Sequence, residues 1–183
     1  MKQKVSVIDN FLPHDVFTTI HDMFMSTWFE WYYNTSVTYG NVEDPASRGQ
    51  FIHTFYCMGE EENAEKNVLS VPGQPNVMSK RMKTITPLSD HIGIKKPMRI
   101  KANQQMRTDR IERNPYHVDF TDLVCTTSVY YINTCDGYTQ FMHGEQVQSK
   151  ANRLVTFPSY LKHAGTTCTD QKRRVVLNLN YYA

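Results

Sequence analysis

The residues of this 183-residue chain best suited to chemistry are His117 and Asp119, two apart in Tyr116-His117-Val118-Asp119, and His163, 46 residues after His117. Two neutral imidazoles and one carboxylate on one face of a divalent metal leave the opposite face open for a co-substrate and oxygen. On a strand, residues i and i+2 project to the same side, so His117 and Asp119 would enter one cavity together, and His163 would return on a separate strand. The composition yields roughly one His-x-acid tripeptide by chance, so the tripeptide alone is a weak signal. A second one, His143-Gly144-Glu145, reads as a hairpin turn with too little chain before His163 for a return strand. His14, His21, His53 and His91 lack a partner at ligand spacing.

If the open face of such a metal takes a 2-oxo dicarboxylate, its far carboxylate lies several ångströms deeper, where a planar guanidinium is the best partner. Arg174 lies eleven residues after His163 and opens the run Arg174-Val175-Val176-Leu177-Asn178-Leu179-Asn180-Tyr181. Val175, Leu177 and Leu179 would form an apolar face, leaving Arg174, Val176, Asn178 and Asn180 on a face too polar for an ordinary core yet suited to a wet cavity. A register shift of one residue would put Arg173 in that place instead.

These residues need a frame. Val5 to Ile8 reads as a first strand, and Val16, Phe17, Ile20 and Phe24 have the spacing of a helix from about Pro13 to Ser26. Trp28 to Thr38 is aromatic and β-branched, as strands are, with loops at Gly40-Asn41 and from Asp44 to Ser47. Phe51 to Met58 fits a helix or a strand, Glu60 to Glu65 an acidic surface, and Val71 to Asn76 an irregular segment with two prolines. A helix from about Val77 to His91 would have to kink or end at Pro87. From Met98 onward the pattern changes to short strands: Met98 to Arg107, Tyr116 to Asp119, Thr126 to Ile132, Thr139 to Met142, Arg153 to Phe157, Leu161 to His163 and Arg173 to Tyr182. This order implies one domain over 1–183, with a helical N-terminal part to about 97 and an antiparallel sandwich or barrel core from about 98.

Bulk properties narrow the function classes. A formal charge of +2 argues for neither a nucleic-acid partner nor an anionic membrane. The start Met1 to Asn10 lacks the apolar run of a signal peptide, and no stretch is apolar enough to span a bilayer, so a cytoplasmic protein is expected. Cys57, Cys125, Cys135 and Cys168 form no C-x-x-C pair and read as free thiols in a reducing compartment.

Five blocks in order, Tyr116 to Asp119, Thr127 to Asn133, Asp136 to Phe141, Ala151 to Pro158 and His163 to Tyr182, carry a resemblance. The chain resembles the iron(II) and 2-oxoglutarate dependent dioxygenases of the prolyl-hydroxylase type, and more closely their small phage-encoded versions, over about Arg99 to Tyr182. The similarity is weaker in Val7-Ile8-Asp9-Asn10-Phe11-Leu12. The resemblance implies a double-stranded β-helix, a jelly-roll with helices against its larger sheet. It also implies iron(II) held by His117, Asp119 and His163, with Arg174 on the distal carboxylate of 2-oxoglutarate and ascorbate as a reductant. Tyr131 falls where relatives place a tyrosine on that same carboxylate, a barrel-wall aromatic being its alternative role. Gln105 stands where relatives often carry another co-substrate tyrosine, and Asn178 shares the Arg174 face. The implied reaction converts 2-oxoglutarate to succinate and CO2 and hydroxylates a prime substrate, a protein side chain or a small molecule. Asp119 speaks against halogenation, since related halogenases lack that carboxylate. A binding module that has lost its chemistry, a nucleic-acid demethylase of the same superfamily and a cupin with another metal are the alternatives. The demethylases tend to carry a closing arginine on the last strand, absent here, and cupins favour three histidines and a glutamate. Oligomeric state is open.

Overall fold

The computed structural model of the protein describes residues 5–35, 49–59, 76–120 and 125–182. In chain order the elements are β1 (Ser6–Ile8), α1 (His14–Met25), β2 (Tyr32–Asn34), β3 (Gln50–Cys57), β4 (Val77–Met78), α2 (Met82–Ile92), β5 (Lys96–Met106), β6 (Thr126–Tyr131), β7 (Tyr138–Phe141), β8 (Gln146–Gln148), β9 (Arg153–Pro158), β10 (His163–Gly165) and β11 (Arg173–Tyr182). An eight-stranded sheet runs β1-β9-β6-β11-β5-β3-β2 with β4 on β3, and a three-stranded sheet runs β10-β7-β8. Every pairing is antiparallel. Two facing sheets with helices on the outside of the larger make a distorted double-stranded β-helix, the fold the resemblance implies and one form of the antiparallel sandwich that the short-strand pattern implies.

The alternation of the central strands sorts their side chains between two cores. Ile100, Ala102, Val175, Leu177, Leu179 and Tyr130 point away from the small sheet and meet Ile20 and Phe24 of α1 and Ile85 and Leu88 of α2. Burying this face is the main reason both helices lie where they do. Val129, Tyr131, Val155, Phe157 and Val176 point the other way and pack with Phe141, Val147 and Leu161 of the small sheet and its approach. Arg173 faces the helical side, where it donates to the Gln104 side chain (3.0 Å) and to the Met25 carbonyl at the end of α1 (2.9 Å).

Several expectations are corrected. The N-terminal part is not chiefly helical: it supplies β1 to β4 as well as the two helices. Phe51 to Met58, open in sequence between helix and strand, is strand as far as Cys57, paired with β5 from Phe51↔Gln104 to Cys57↔Arg99. The aromatic stretch from Trp28 forms strand only at Tyr32–Asn34, and Trp28 is exposed; its end at 36–38 lies outside the described residues. The second helix starts at Met82 after the short β4, and Pro87 sits inside it. It ends at Gly93, whose φ of 83° is the left-handed C-cap that glycine adopts without strain. Tyr116 to Asp119 is extended but not a strand. The bridges Arg113↔Thr166 and His117↔His163 span four residues on one side and three on the other, and Pro115 between them has no N–H, so no ladder forms. The strand expected over Leu161 to His163 instead begins at His163, and β8 was not anticipated. The loops at Gly40-Asn41 and Asp44 to Ser47, the acidic Glu60 to Glu65 and most of Val71 to Asn76 lie outside the described residues. Among the described residues no helix is long and apolar enough to cross a membrane.

Candidate metal centre and anion cavity

His117 and His163 face each other through a reciprocal backbone pair, N to O distances being 3.0 and 2.9 Å, with ring centroids 4.6 Å apart. Asp119 is held two residues further on by its own N–H to the Ser159 carbonyl (3.1 Å). One ligand atom from each of His117, Asp119 and His163 lies within 4.8 Å of the others. The His163 Nδ1 donates to the Leu161 carbonyl (2.9 Å) and the His117 Nδ1 to the Pro115 carbonyl (3.3 Å). Because a carbonyl only accepts, both rings keep the proton on Nδ1 and present the bare Nε2, the arrangement a metal ligand needs. The His163 Nε2 is 3.9 Å from the Asp119 Oδ2, and both side chains are almost fully buried.

The protonation states suit a cation. Burial, then the adjacent His163, holds His117 down to about 4. For Asp119, burial acts to raise the carboxyl, but His163, Arg99, His117 and a hydrogen bond from Thr127 outweigh it and leave it at about 2. At neutral pH the site therefore offers a neutral His117 imidazole and an ionised carboxylate, and no proton must leave either group for a metal to bind.

A closed ring of side chains aims that carboxylate. Arg99 Nη2 donates to Asp119 Oδ1 (3.1 Å) and Thr127 Oγ1 to Asp119 Oδ2 (2.6 Å). Arg99 Nε donates to Asn180 Oδ1 (3.1 Å), and Asn180 Nδ2 to Thr127 Oγ1 (3.0 Å). The sheet sets this up, because Asn180 pairs with Arg99 on β5 and with Thr127 on β6, so all three share one rung on the cavity side. Sequence reasoning missed Arg99 and Thr127 as partners of Asp119. The available signal was polar side chains recurring at period two on three strands that are otherwise apolar.

Arg174 lies at the other end of the same cavity, only 4% exposed. Its Nε donates to Ser149 Oγ (2.7 Å) and its Nη2 to Thr139 Oγ1 (3.2 Å), with Nη1 3.4 Å from the Thr166 carbonyl. Among the described residues no carboxylate meets this buried guanidinium, although burying a charge without a counter-charge is costly. Gly137 makes room for it: a Cβ there would stand 2.7 Å from Arg174 Cδ and 2.6 Å from the Thr167 carbonyl. Of the two register choices, then, Arg174 enters the cavity and Arg173 the helical side. The cavity holds about 160 Å³, and Gln105 and Asn178 line it with the triad and Arg174. Tyr131 is not among the lining residues. Its hydroxyl donates to Thr139 Oγ1 (2.7 Å), the same atom that accepts from Arg174, and its ring lies 5.5 Å from the Arg174 Cζ, so it supports Arg174 both through Thr139 and directly.

The rival tripeptide is indeed a turn: Gly144 has φ 105°, and His143 and Glu145 are exposed and 3.3 Å apart. All four cysteines are free and buried. The fold does bring Cys135, Cys168 and Asp170 within ligand reach of one another, which their sequence spacing hides. Burial, then Cys135, pushes the Cys168 thiol up to about 12, so a metal binding there would have to displace a firmly held proton.

This jelly-roll fold recurs among solved structures. A prolyl hydroxylase from Trichoplax adhaerens, in complex with a hypoxia inducible factor oxygen degradation domain peptide fragment, superposes with a TM-score of 0.69 at 17% identity, covering 99% of this chain and 84% of its own. A 2OG-Fe(II) oxygenase family oxidoreductase from Burkholderia pseudomallei gives 0.64 at 9% identity, covering 97% and 85%. The viral collagen prolyl hydroxylase of Paramecium Bursaria Chlorella virus-1, in its 2OG complex, gives 0.56 at 14%, covering 98% and 96%. At these identities the likeness is one of fold. No family model and no curated protein matches the sequence.

Proposed function

We propose that the chain is an iron(II)- and 2-oxoglutarate-dependent dioxygenase that hydroxylates a prime substrate, a peptidyl side chain or a small molecule, with release of succinate and CO2. The observation that carries this reading is the convergence of His117, Asp119 and His163 at one point with the unpaired Arg174 guanidinium in the same cavity. The donor set, two imidazole nitrogens and one carboxylate with a face left open, fits ferrous iron. Iron(II) with 2-oxoglutarate and dioxygen supplies the oxidative decarboxylation that drives hydroxylation. Everything else falls to the protein. His117 and His163 hold the metal through Nε2, and Asp119 supplies the third bond in an orientation fixed by Arg99 and Thr127. Arg174 receives the distal carboxylate of the co-substrate, with Thr139 and Ser149 fixing the plane of its fork. Gln105 and Asn178 offer side-chain amides along the co-substrate, and Tyr131 supports Arg174 through Thr139. The prolyl hydroxylases among the fold neighbours favour a peptide, and the unpaired buried thiols fit a reducing cytoplasm.

The test is spectroscopic. Anaerobic addition of iron(II) and 2-oxoglutarate should produce a visible metal-to-ligand charge-transfer band in wild type and none in His117→Ala. Absence of the band in wild type, or its persistence in His117→Ala, would remove the proposal.

A further inference from the structure

The cavity contains more cation than the proposed chemistry uses. One carboxylate, Asp119, faces three cations, Arg99, Lys101 and Arg174. Arg99 belongs to the ring that holds Asp119, and Arg174 is assigned to the co-substrate. Lys101 is left over: among the described residues its ammonium makes no hydrogen bond and no ion pair. Burial, then the neighbouring Arg99, pushes it down to about 8. A partly buried ammonium with no hydrogen bond and no ion-pair partner among the described residues, and only the more distant charge of Asp119 to offset it, is unfavourable and persists where a ligand completes it.

Its place in the sheet says which ligand. Lys101 pairs with Asn178 on one side and Thr54 on the other, one rung from Arg99 and so about 7 Å along β5 from the Asp119 ring. The small sheet packs over β6, β9 and Val176, whereas no residue of β3 or β5 belongs to that inter-sheet core. Among the described residues Lys101 therefore sits on the flank that the small sheet leaves uncovered, while Arg174 lies under Gly137, Thr139 and Ser149. Next on the same face is Asn103, whose buried Oδ1 has no hydrogen-bond partner among the described residues. A strip with an unpaired cation and, two residues on, an unpaired amide runs along the open side of the metal triad.

We propose that Lys101 receives a carboxylate of the prime substrate, with Asn103 pairing to a polar group beside it, so that the enzyme acts on an acidic amino acid derivative or an acidic peptide segment. This rests on the oxygenase reading, in which iron(II) and 2-oxoglutarate cancel in charge and leave the cavity's own excess for the substrate. A neutral substrate would cover the Lys101 ammonium and leave it unpaired in the cavity.

The experiment uses protein loaded with zinc(II) and 2-oxoglutarate, which binds without turning over. The Lys101 Cε resonance, assigned by its loss in Lys101→Gln, is followed by carbon-13 NMR. The probes come as carboxylate and amide twins: propionate with propionamide, and the blocked tripeptides Ala-Glu-Ala with Ala-Gln-Ala. We expect a saturable shift with at least one carboxylate, its amide binding about 10- to 100-fold more weakly. Lys101→Gln should abolish that preference in calorimetry and Lys101→Arg retain it. A propionate response alone assigns a small-molecule substrate, and a response to Ala-Glu-Ala a peptide. No saturable shift with either carboxylate, equal binding of the twins, or displacement of 2-oxoglutarate by the carboxylate would overturn the inference. The iron-dependent band reports separately: a band without carboxylate preference overturns this inference alone, and absence of the band removes both.

Discussion

Replacing Arg99 by methionine isolates the electrostatics of the centre. Arg99 and Asp119 form an ion pair at 3.1 Å with side chains only 6% and 3% exposed, so the pair is fully desolvated. Removing one member of such a pair leaves the other charge buried and costs about 3 to 5 kcal/mol. The Asn180 Oδ1 also loses its donor, which accounts for about 1 to 2 kcal/mol of the total. The remainder depends on pH. In wild type the Asp119 carboxyl is lowered to about 2, so its contribution is present above about pH 4 and is lost only as pH falls toward 2. In Arg99→Met burial acts with one fewer opposing charge, and the carboxyl titrates higher. That group then costs stability as pH rises and becomes neutral as pH falls. Urea unfolding of the metal-free proteins should therefore show a gap of about 3 to 5 kcal/mol at pH 7 that narrows to about 1 to 2 kcal/mol near pH 4. Arg99 is the smallest of the causes that act on His117, and making the same comparison in a His117→Leu background removes that group from the difference. A gap that stays constant between those pH values would mean that the arginine stem, not its charge, was lost, and would refute the ring as the device that orients Asp119.

Three further outcomes follow. His117, held near 4 against an ordinary 6.5, stabilises the metal-free fold above pH 6.5, and that contribution is lost as pH falls to 4. Urea unfolding should show about 3 kcal/mol from this group, and a slope unaltered in His117→Leu would count against it. Arg174→Met should weaken 2-oxoglutarate binding, measured by calorimetry on metal-loaded protein, by about 2 to 5 kcal/mol, whereas Arg173→Met should change it less than about twofold; equal effects would contradict the register at β11. Asn152 joins the N-terminal segment to the sheet, its Oδ1 accepting from Leu12 N–H (2.9 Å) and Tyr130 O–H (2.7 Å) and its Nδ2 donating to the Leu12 carbonyl (2.9 Å). Asn152→Ala should lower unfolding stability by about 2 to 4 kcal/mol while leaving metal affinity unchanged, and a loss of metal binding would show that the linkage reaches the site.

The central strands and the triad were legible in the sequence because both obey a period of two. The alternation in Arg174 to Tyr181 separated cavity from core, and the His-x-Asp spacing placed two ligands on one side. What escaped was decided by partners distant in sequence. Phe51 to Met58 has no periodicity of its own and became strand through its pairing with β5. Tyr116 to Asp119 looked like a strand, but Pro115 and the unequal spacing of its bridges to β10 left it extended without a ladder. Arg99 and Lys101 show in the sequence only as polar residues at period two, and β5 taken alone does not say what they meet. Only its register against β11 puts Arg99 beside Asn180 and Lys101 beside Asn178. Cys135 and Cys168, 33 residues apart, become neighbours for the same reason.

The most direct measurement is anomalous diffraction at the iron edge from crystals soaked anaerobically with iron(II) and 2-oxoglutarate. The predicted result is a single peak bonded to His117 Nε2, His163 Nε2 and an Asp119 oxygen, with the dicarboxylate running from it to Arg174. A peak among Cys135, Cys168 and Asp170 instead, or none between the two histidines, would contradict the assignment.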